Sequence, residues 1–296
     1  MDSTLPVGKA PTALGRGLAA RVFRIARVLP IQVGLAAVAV LWMLPTVGLL
    51  LTSLLARDDF NSIGWWKIFT EPSLATFENY RALFANHAIT SSLVTTTVVA
   101  VGGTILPLLI AAAGAYAFAW LDFPGRDWLF VGLVGLMVVP VQMALIPIFQ
   151  LYNVTGLFDT AAGLILFHTA FGLPFATFLL RNYMIGIPGE LLDAARIDGA
   201  SELRVFLWLI LPLAKPALAS LAVFQFLWVW NDLLVALVFG RRTQPITVAI
   251  FTQLSQFDAN IAIISTGAFV SLVVPLTVFL AFQRYFVRGL LAGAVK

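Results

Sequence analysis

Between Gln225 and Asp232 an otherwise apolar run carries an amide, two indoles, a second amide and a carboxylate. If this run is helical, Trp228, Asn231 and Asp232 follow i, i+3, i+4 spacing and share a face with Gln225. An aromatic plane beside hydroxyl-binding groups is chemistry that suits a sugar. A carboxylate at mid-bilayer costs about 2.5 to 3.5 kcal/mol, so Asp232 needs a partner or a purpose. Two readings stay open for Asn231 and Asp232. Either they line a substrate path, or they bond to neighbouring helices or the following external loop. Trp228 is equally compatible with an interfacial aromatic belt. Gln142 and His168 are the other polar candidates inside apolar runs, and His168 also reads as a satisfied bundle histidine.

A second set lies between Arg181 and Pro216, the most charge-dense stretch of the second half of the chain. Pro188 and Gly189 interrupt any helix arriving from before, and Glu190 then falls in a first helical turn, where a carboxylate favours the dipole. Leu191, Leu192 and Ala195 are expected on one side, with Ala194 and Ala195 keeping the helix slim. Asp198-Gly199 supplies a sharp exit, because glycine tolerates positive φ. Asp193 and Arg196 offer ionic partners at the rim. Such a knob fits a groove on another protein, and an ordinary solvated loop is the alternative. Catalytic sets are missing. No His-Glu-x-x-His, no Gly-x-Ser-x-Gly and no Walker phosphate loop occurs, and cysteine is absent, so the chain carries no thiolate site and cannot hydrolyse ATP by itself.

The elements that must position these groups follow from composition. Of 296 residues 60% are hydrophobic and 11% charged, which excludes an ordinary soluble fold. Six runs reach the length a bilayer-crossing helix needs: Ile31 to Ala56, Leu93 to Leu121, Trp128 to Leu151, Thr160 to Leu180, Leu213 to Phe239 and Ile261 to Phe282. They are continuously apolar rather than alternating, so the expectation is an all-α integral membrane protein of six transmembrane helices. The first run follows a basic leader and has no small-residue cleavage site, which reads as a retained span. With both termini cytoplasmic, 13 of the 18 basic residues fall inside and five outside, as the positive-inside rule requires. That asymmetry and attraction to anionic lipid account for the net charge of +4, and no basic-aromatic stripe points to nucleic acid.

Along the chain, residues 1–30 read as a cytoplasmic tail and 31–56 as the first span. Residues 57–92 form an external segment with Trp65, Trp66, Tyr80 and a break at Pro72, and Phe77 to Arg81 looks like the opening of a short helix. A core of five spans occupies 93–283, interrupted by the loop at 188–216, and 284–296 form a cytoplasmic tail. Pro107, Pro140, Pro147, Pro174 and Pro275 are candidate bends or static kinks.

The string from Glu190 to Ala200, followed by Leu211-Pro212 and Pro216, closely resembles the EAA loop of binding-protein-dependent ABC importer permeases, with Asp193 where that pattern usually has Glu. Trp230-Asn231-Asp232 and the ending from Gln283 to Lys296 resemble the carbohydrate branch, of MalG type. The resemblance implies a type I ABC importer permease fold and a place in the bacterial cytoplasmic membrane. It also implies a second permease subunit forming a heterodimer, a pair of ATPase subunits that bind ATP and Mg, and an extracytoplasmic sugar-binding protein. No cofactor belongs to this chain itself. Glu190, Leu191, Leu192, Asp193, Ala194, Ala195, Arg196, Asp198, Gly199 and Ala200 would couple to the ATPase, and Gly293, Ala294, Val295 and Lys296 would touch the ATPase pair. A secondary transporter, an intramembrane enzyme and a permease for a non-sugar solute are the rival readings; the last is the nearest, since the EAA loop is shared across substrates.

Overall fold

The computed structural model describes residues 13–56, 59, 63–254 and 261–294, with side chains described from residue 28 to 284 within those ranges, apart from 261 and 262. The first helix, α1 (Ala13–Ser53), begins inside the segment expected as a tail and passes through Pro30 without interruption. Its early part is rich in Ala, Leu and Arg, all good helix formers, so the leader and the first span are one element. From Val28 on, most of its apolar side chains are exposed, as expected of a helix surrounded by lipid or another subunit.

The segment expected to be external folds into short pieces, 3-10 turns at Trp65–Phe69 and Pro72–Leu74 followed by α2 (Glu78–Ala85). Asn79 donates to the carbonyls of Ser53 and Leu55 at 3.0 and 2.6 Å, and Tyr80 meets the Ser53 hydroxyl at 2.7 Å, which ties this segment to the end of α1.

Two long helices form the centre, α3 (His87–Trp120) and α6 (Ala161–Ile185). Asn86 caps α3 by accepting from the N–H groups of Ala88 and Ile89. Buried Ala100, Gly103, Ala111, Ala112 and Ala115 on α3, with Gly172 and Ala176 on α6, let the two backbones approach. In lipid this close approach replaces the hydrophobic drive.

Among the described residues four helices are long and apolar enough to cross a membrane alone: the part of α1 from Val28, α3, α6, and the Ile263–Arg284 part of the last helix. The other two expected spans are bent. Trp128 to Leu151 resolves into α4 (Arg126–Gly135), a 3-10 turn and α5 (Val141–Thr155), with a 100° change of direction at Pro140. Pro140 has no N–H to continue a helix and holds ψ at 131°. The fifth span also departs from expectation. After α7 (Gly189–Ile197), α8 (Glu202–Leu213) meets α9 (Lys215–Trp230) at 74°. That helix ends at Trp230, and a separate α10 (Leu234–Phe239) follows where continuous helix was expected to Phe239. The chain closes with α11 (Ile246–Leu254) and α12 (Ile261–Ala294).

Candidate coupling site and intramembrane polar hub

The charged loop contains the expected helix. Pro188 is extended at ψ 128° and stops α6 from continuing, Glu190 sits in the first turn of α7 and Arg196 in its last. The exit is a Schellman turn: Gly199 has φ +81°, its N–H donates to Arg196 O, and the Ala200 N–H donates to Ala195 O, both at 3.0 Å. Leu192 is fully buried in a cluster with Ala115, Tyr116, Leu180, Met184, Val205 and Ile210, a burial worth about 2 kcal/mol. Leu191 does not join it. Consecutive helical residues point about 100° apart, and Leu191 is 44% exposed beside exposed Ala194. Ile197 is 86% exposed, so the outward side of α7 carries apolar Leu191, Ala194 and Ile197 beside the exposed carboxylates of Glu190 and Asp193.

Arg196 is not a free rim charge. Its Nε donates to Glu202 Oε1 at 2.8 Å, its Nη2 to Glu202 Oε2 and to Trp120 O at 3.4 Å each, and its Nη1 lies 3.5 Å from Asp193. Tyr116, on α3, donates its hydroxyl to Glu202 Oε2. The mutual hydrogen bond raises the Arg196 pKa and lowers that of Glu202, so both stay charged. Asp193 keeps 70% of its side chain exposed and faces outward. Trp120, Tyr116 and Glu202 hold α7 to the rest of the bundle although no local pattern marked them. Tyr116 and Glu202 are 86 residues apart in sequence.

The polar residues expected on one face of the fifth span are split by its early end. Gln225 is buried and donates Nε2 to Gly103 O at 3.0 Å and to His168 O at 3.2 Å, bracing α9 against α3 and α6. Trp228 is half-buried, its ring edge-on to His168 at 5.0 Å. Asn231 closes α9, is exposed, and donates back to Leu227 O at 2.8 Å. Asp232 starts the next helix: Oδ1 accepts from Val235 N at 3.2 Å and Oδ2 from Ala236 N at 2.9 Å. Its carbonyl accepts from Thr247 Oγ1 at 2.6 Å. His168 Nε2 stands 3.7 Å from Asp232 Oδ2, a contact of charge and dipole rather than a hydrogen bond. His168 thus joins Gln225, Trp228 and Asp232 into one hub.

The hub is closed. The cavity between Thr96, Leu164, His168, Val229, Asp232 and Pro245 holds about 10 Å³, room for one water at most. Gln142 lies apart, exposed in the first turn of α5. Among the described residues no group of three or more His, Cys, Asp or Glu could hold a metal ion. At the carboxyl end, Gly293 and Ala294 finish α12, while their side chains, like Val295 and Lys296 altogether, lie outside the described residues.

A knob-like helix between the fourth and fifth spans, fastened inward and apolar outward, is joined by a family match. Residues 103–291, more than half of the chain, match the family described as binding-protein-dependent transport system inner membrane component. The chain belongs to this family. The matched segment of this permease includes Tyr116, all of α7, Glu202 and most of the hub. The permease is 46% identical over 274 residues to the osmoprotective compounds uptake permease protein GgtD of Synechocystis sp., covering 90% of this chain and 92% of that one. It is 51% identical over 235 residues to the alpha-glucoside transport system permease protein AglG of Rhizobium meliloti, covering 77% of this chain and 62% of that longer one. A crystal structure of a bacterial ABC transporter involved in the import of the polysaccharide alginate shares the fold, with a TM-score of 0.74 at 22% identity over 90% of this chain and 98% of that one. The fold is therefore the all-α ABC importer permease bundle expected from the sequence, with two of its spans bent.

Proposed function

We propose that this permease forms half of the translocation path of an ATP-driven importer for a sugar, of the oligosaccharide or glycoside class, in a bacterial cytoplasmic membrane. In this reading α7 seats in a separate ATPase, a second permease completes the path as a heterodimer, and an extracytoplasmic binding protein delivers the solute. The ATPase pair binds ATP and Mg, and Gly293, Ala294, Val295 and Lys296 touch it. The observation that carries the coupling role is the two-sided build of α7: Leu192 and Arg196 fasten it inward, while Leu191, Ala194 and Ile197 present an apolar outward face at the charged, cytoplasmic end. A largely exposed isoleucine on a short helix suits a groove, not water.

The sugar reading draws on the 51% identity to AglG. A small polar osmolyte is the second reading, favoured by the longer match to GgtD. Along the path, Trp228, Asn231 and Gln142 retain exposed surface for a solute, whereas Gln225 and Asp232 are committed to backbone partners.

Ile197→Asp places a charge in the proposed groove without touching the inward face. The expected result is loss of ATPase subunits on purification through this chain, with the permease pair still assembled. Retention of the ATPase together with normal stimulation of ATP hydrolysis by the binding protein would reject the coupling role.

A further inference from the structure

Covalently, α7 is attached only to its neighbours in the chain, and both attachments are joints. On one side lies Gly186-Ile187-Pro188, and on the other the positive-φ turn at Gly199. Joints of this kind absorb rotation. A push on α7 delivered through them alone would be spent in backbone torsion.

The structure holds α7 by a third attachment, to α3, a helix remote in sequence. Its first residue, Gly189, lies under the Trp120 ring, so that a Cβ there would stand 3.6 Å from the indole. Near its end Arg196 reaches Trp120 O, and Glu202 is gripped at once by the Arg196 guanidinium and by the Tyr116 hydroxyl. An exposed ion pair by itself contributes little. Here one carboxylate oxygen is held by a hydroxyl on a residue only 5% exposed, and the guanidinium is planar and directional, which makes the joint stiff.

The end of α3 is built to receive such contacts. The last carbonyls of a helix lack internal partners and carry the negative end of its dipole. Three arginines supply donors: Arg181 to Phe118 O at 3.2 Å, Arg196 to Trp120 O at 3.4 Å and Arg126 to Leu121 O at 3.2 Å. Arg181 arrives from α6, where it also stacks over Phe130 at 4.1 Å, and Arg126 arrives from α4. Only Arg196 arrives from α7.

We propose that Tyr116, Arg196 and Glu202 are positioning residues that clamp α7 to the cytoplasmic end of α3, so that a displacement of α7 reaches the centre of the bundle directly. From there α3 carries it along α6 and, through Gln225, to α9. The clamp rests on the reading of α7 as the ATPase contact.

The test uses the assembled complex in proteoliposomes with its ATPase and binding protein. Tyr116→Phe removes one inward hydroxyl, and Glu202→Gln removes one charge; neither touches the outward face of α7. Both are expected to keep the ATPase bound and basal hydrolysis unchanged, and to lower binding-protein stimulation about three- to tenfold. Arg196→Glu, which sets a carboxylate against Glu202 and Trp120 O, is expected to lose the stimulation, and Arg196→Lys, which keeps a donor, to lose less. Wild-type stimulation in Tyr116→Phe and Glu202→Gln overturns the clamp, as does loss of the ATPase from them. Failure of the underlying reading shows separately, as an Ile197→Asp complex that keeps its ATPase and its stimulation.

Discussion

Asp232 has its carboxylate oxygens on two backbone N–H groups at the start of α10 and its carbonyl on Thr247. A buried carboxylate so bonded acts as a helix cap, and capping answers the desolvation cost that makes it conspicuous. Asp232→Ala is expected to destabilise the permease by about 0.5 to 2 kcal/mol, visible as a lowered thermal midpoint, while Asp232→Asn, which keeps one acceptor oxygen, loses less. A solute KM that rises several-fold in Asp232→Asn, without loss of stability, would return the residue to the substrate path. The oddity of Asp232 was legible from the sequence because charge inside an apolar run is rare. Its role was not, since nothing in Trp230-Asn231-Asp232 resembles a proline or glycine stop, and the helix break lies there. Arg196 shows the converse. Its place on a short charged helix was readable from Pro188, Glu190 and Gly199, yet its partner Tyr116 is on another helix and left no local trace.

Among the elements, the straight spans were legible because length and hydropathy alone define them. The bends were not equally so. Pro140 breaks its span by 100°, whereas Pro107, Pro147, Pro174 and Pro275 remain inside continuous helices. Neighbouring helices and side chains can re-satisfy the carbonyl a proline frees, so tertiary surroundings decide which prolines bend the chain. Where α9 packs on α3 and α6, Gln225 lies over Gly172 and bonds to both helices. A Cβ at Gly172 would stand 2.5 Å from Gln225 Nε2. Gly172→Ala is therefore expected to displace Gln225, leave buried polar groups unsatisfied and cost about 1 to 3 kcal/mol. In a Gln225→Ala background the same substitution is expected to cost clearly less. A double-mutant cycle by thermal unfolding measures the difference, and additive losses would show that Gln225 does not brace these helices.

Across the whole molecule, the expected topology puts 13 of the 18 basic residues and α7 on the cytoplasmic side, by the positive-inside asymmetry. The cavity beside His168 holds about 10 Å³, too little for a solute, and on the proposed reading the path runs where a second permease completes it. On the proposed reading energy enters at α7 and is passed to α3, and the sequence carries no phosphate loop with which to supply it. The most direct test is uptake of a radiolabelled α-glucoside into proteoliposomes holding the complete complex, with ATP and Mg enclosed and the binding protein supplied outside. The account predicts accumulation that needs both ATP and the binding protein and that is abolished in Ile197→Asp. Accumulation without ATP that follows an imposed ion gradient would contradict it.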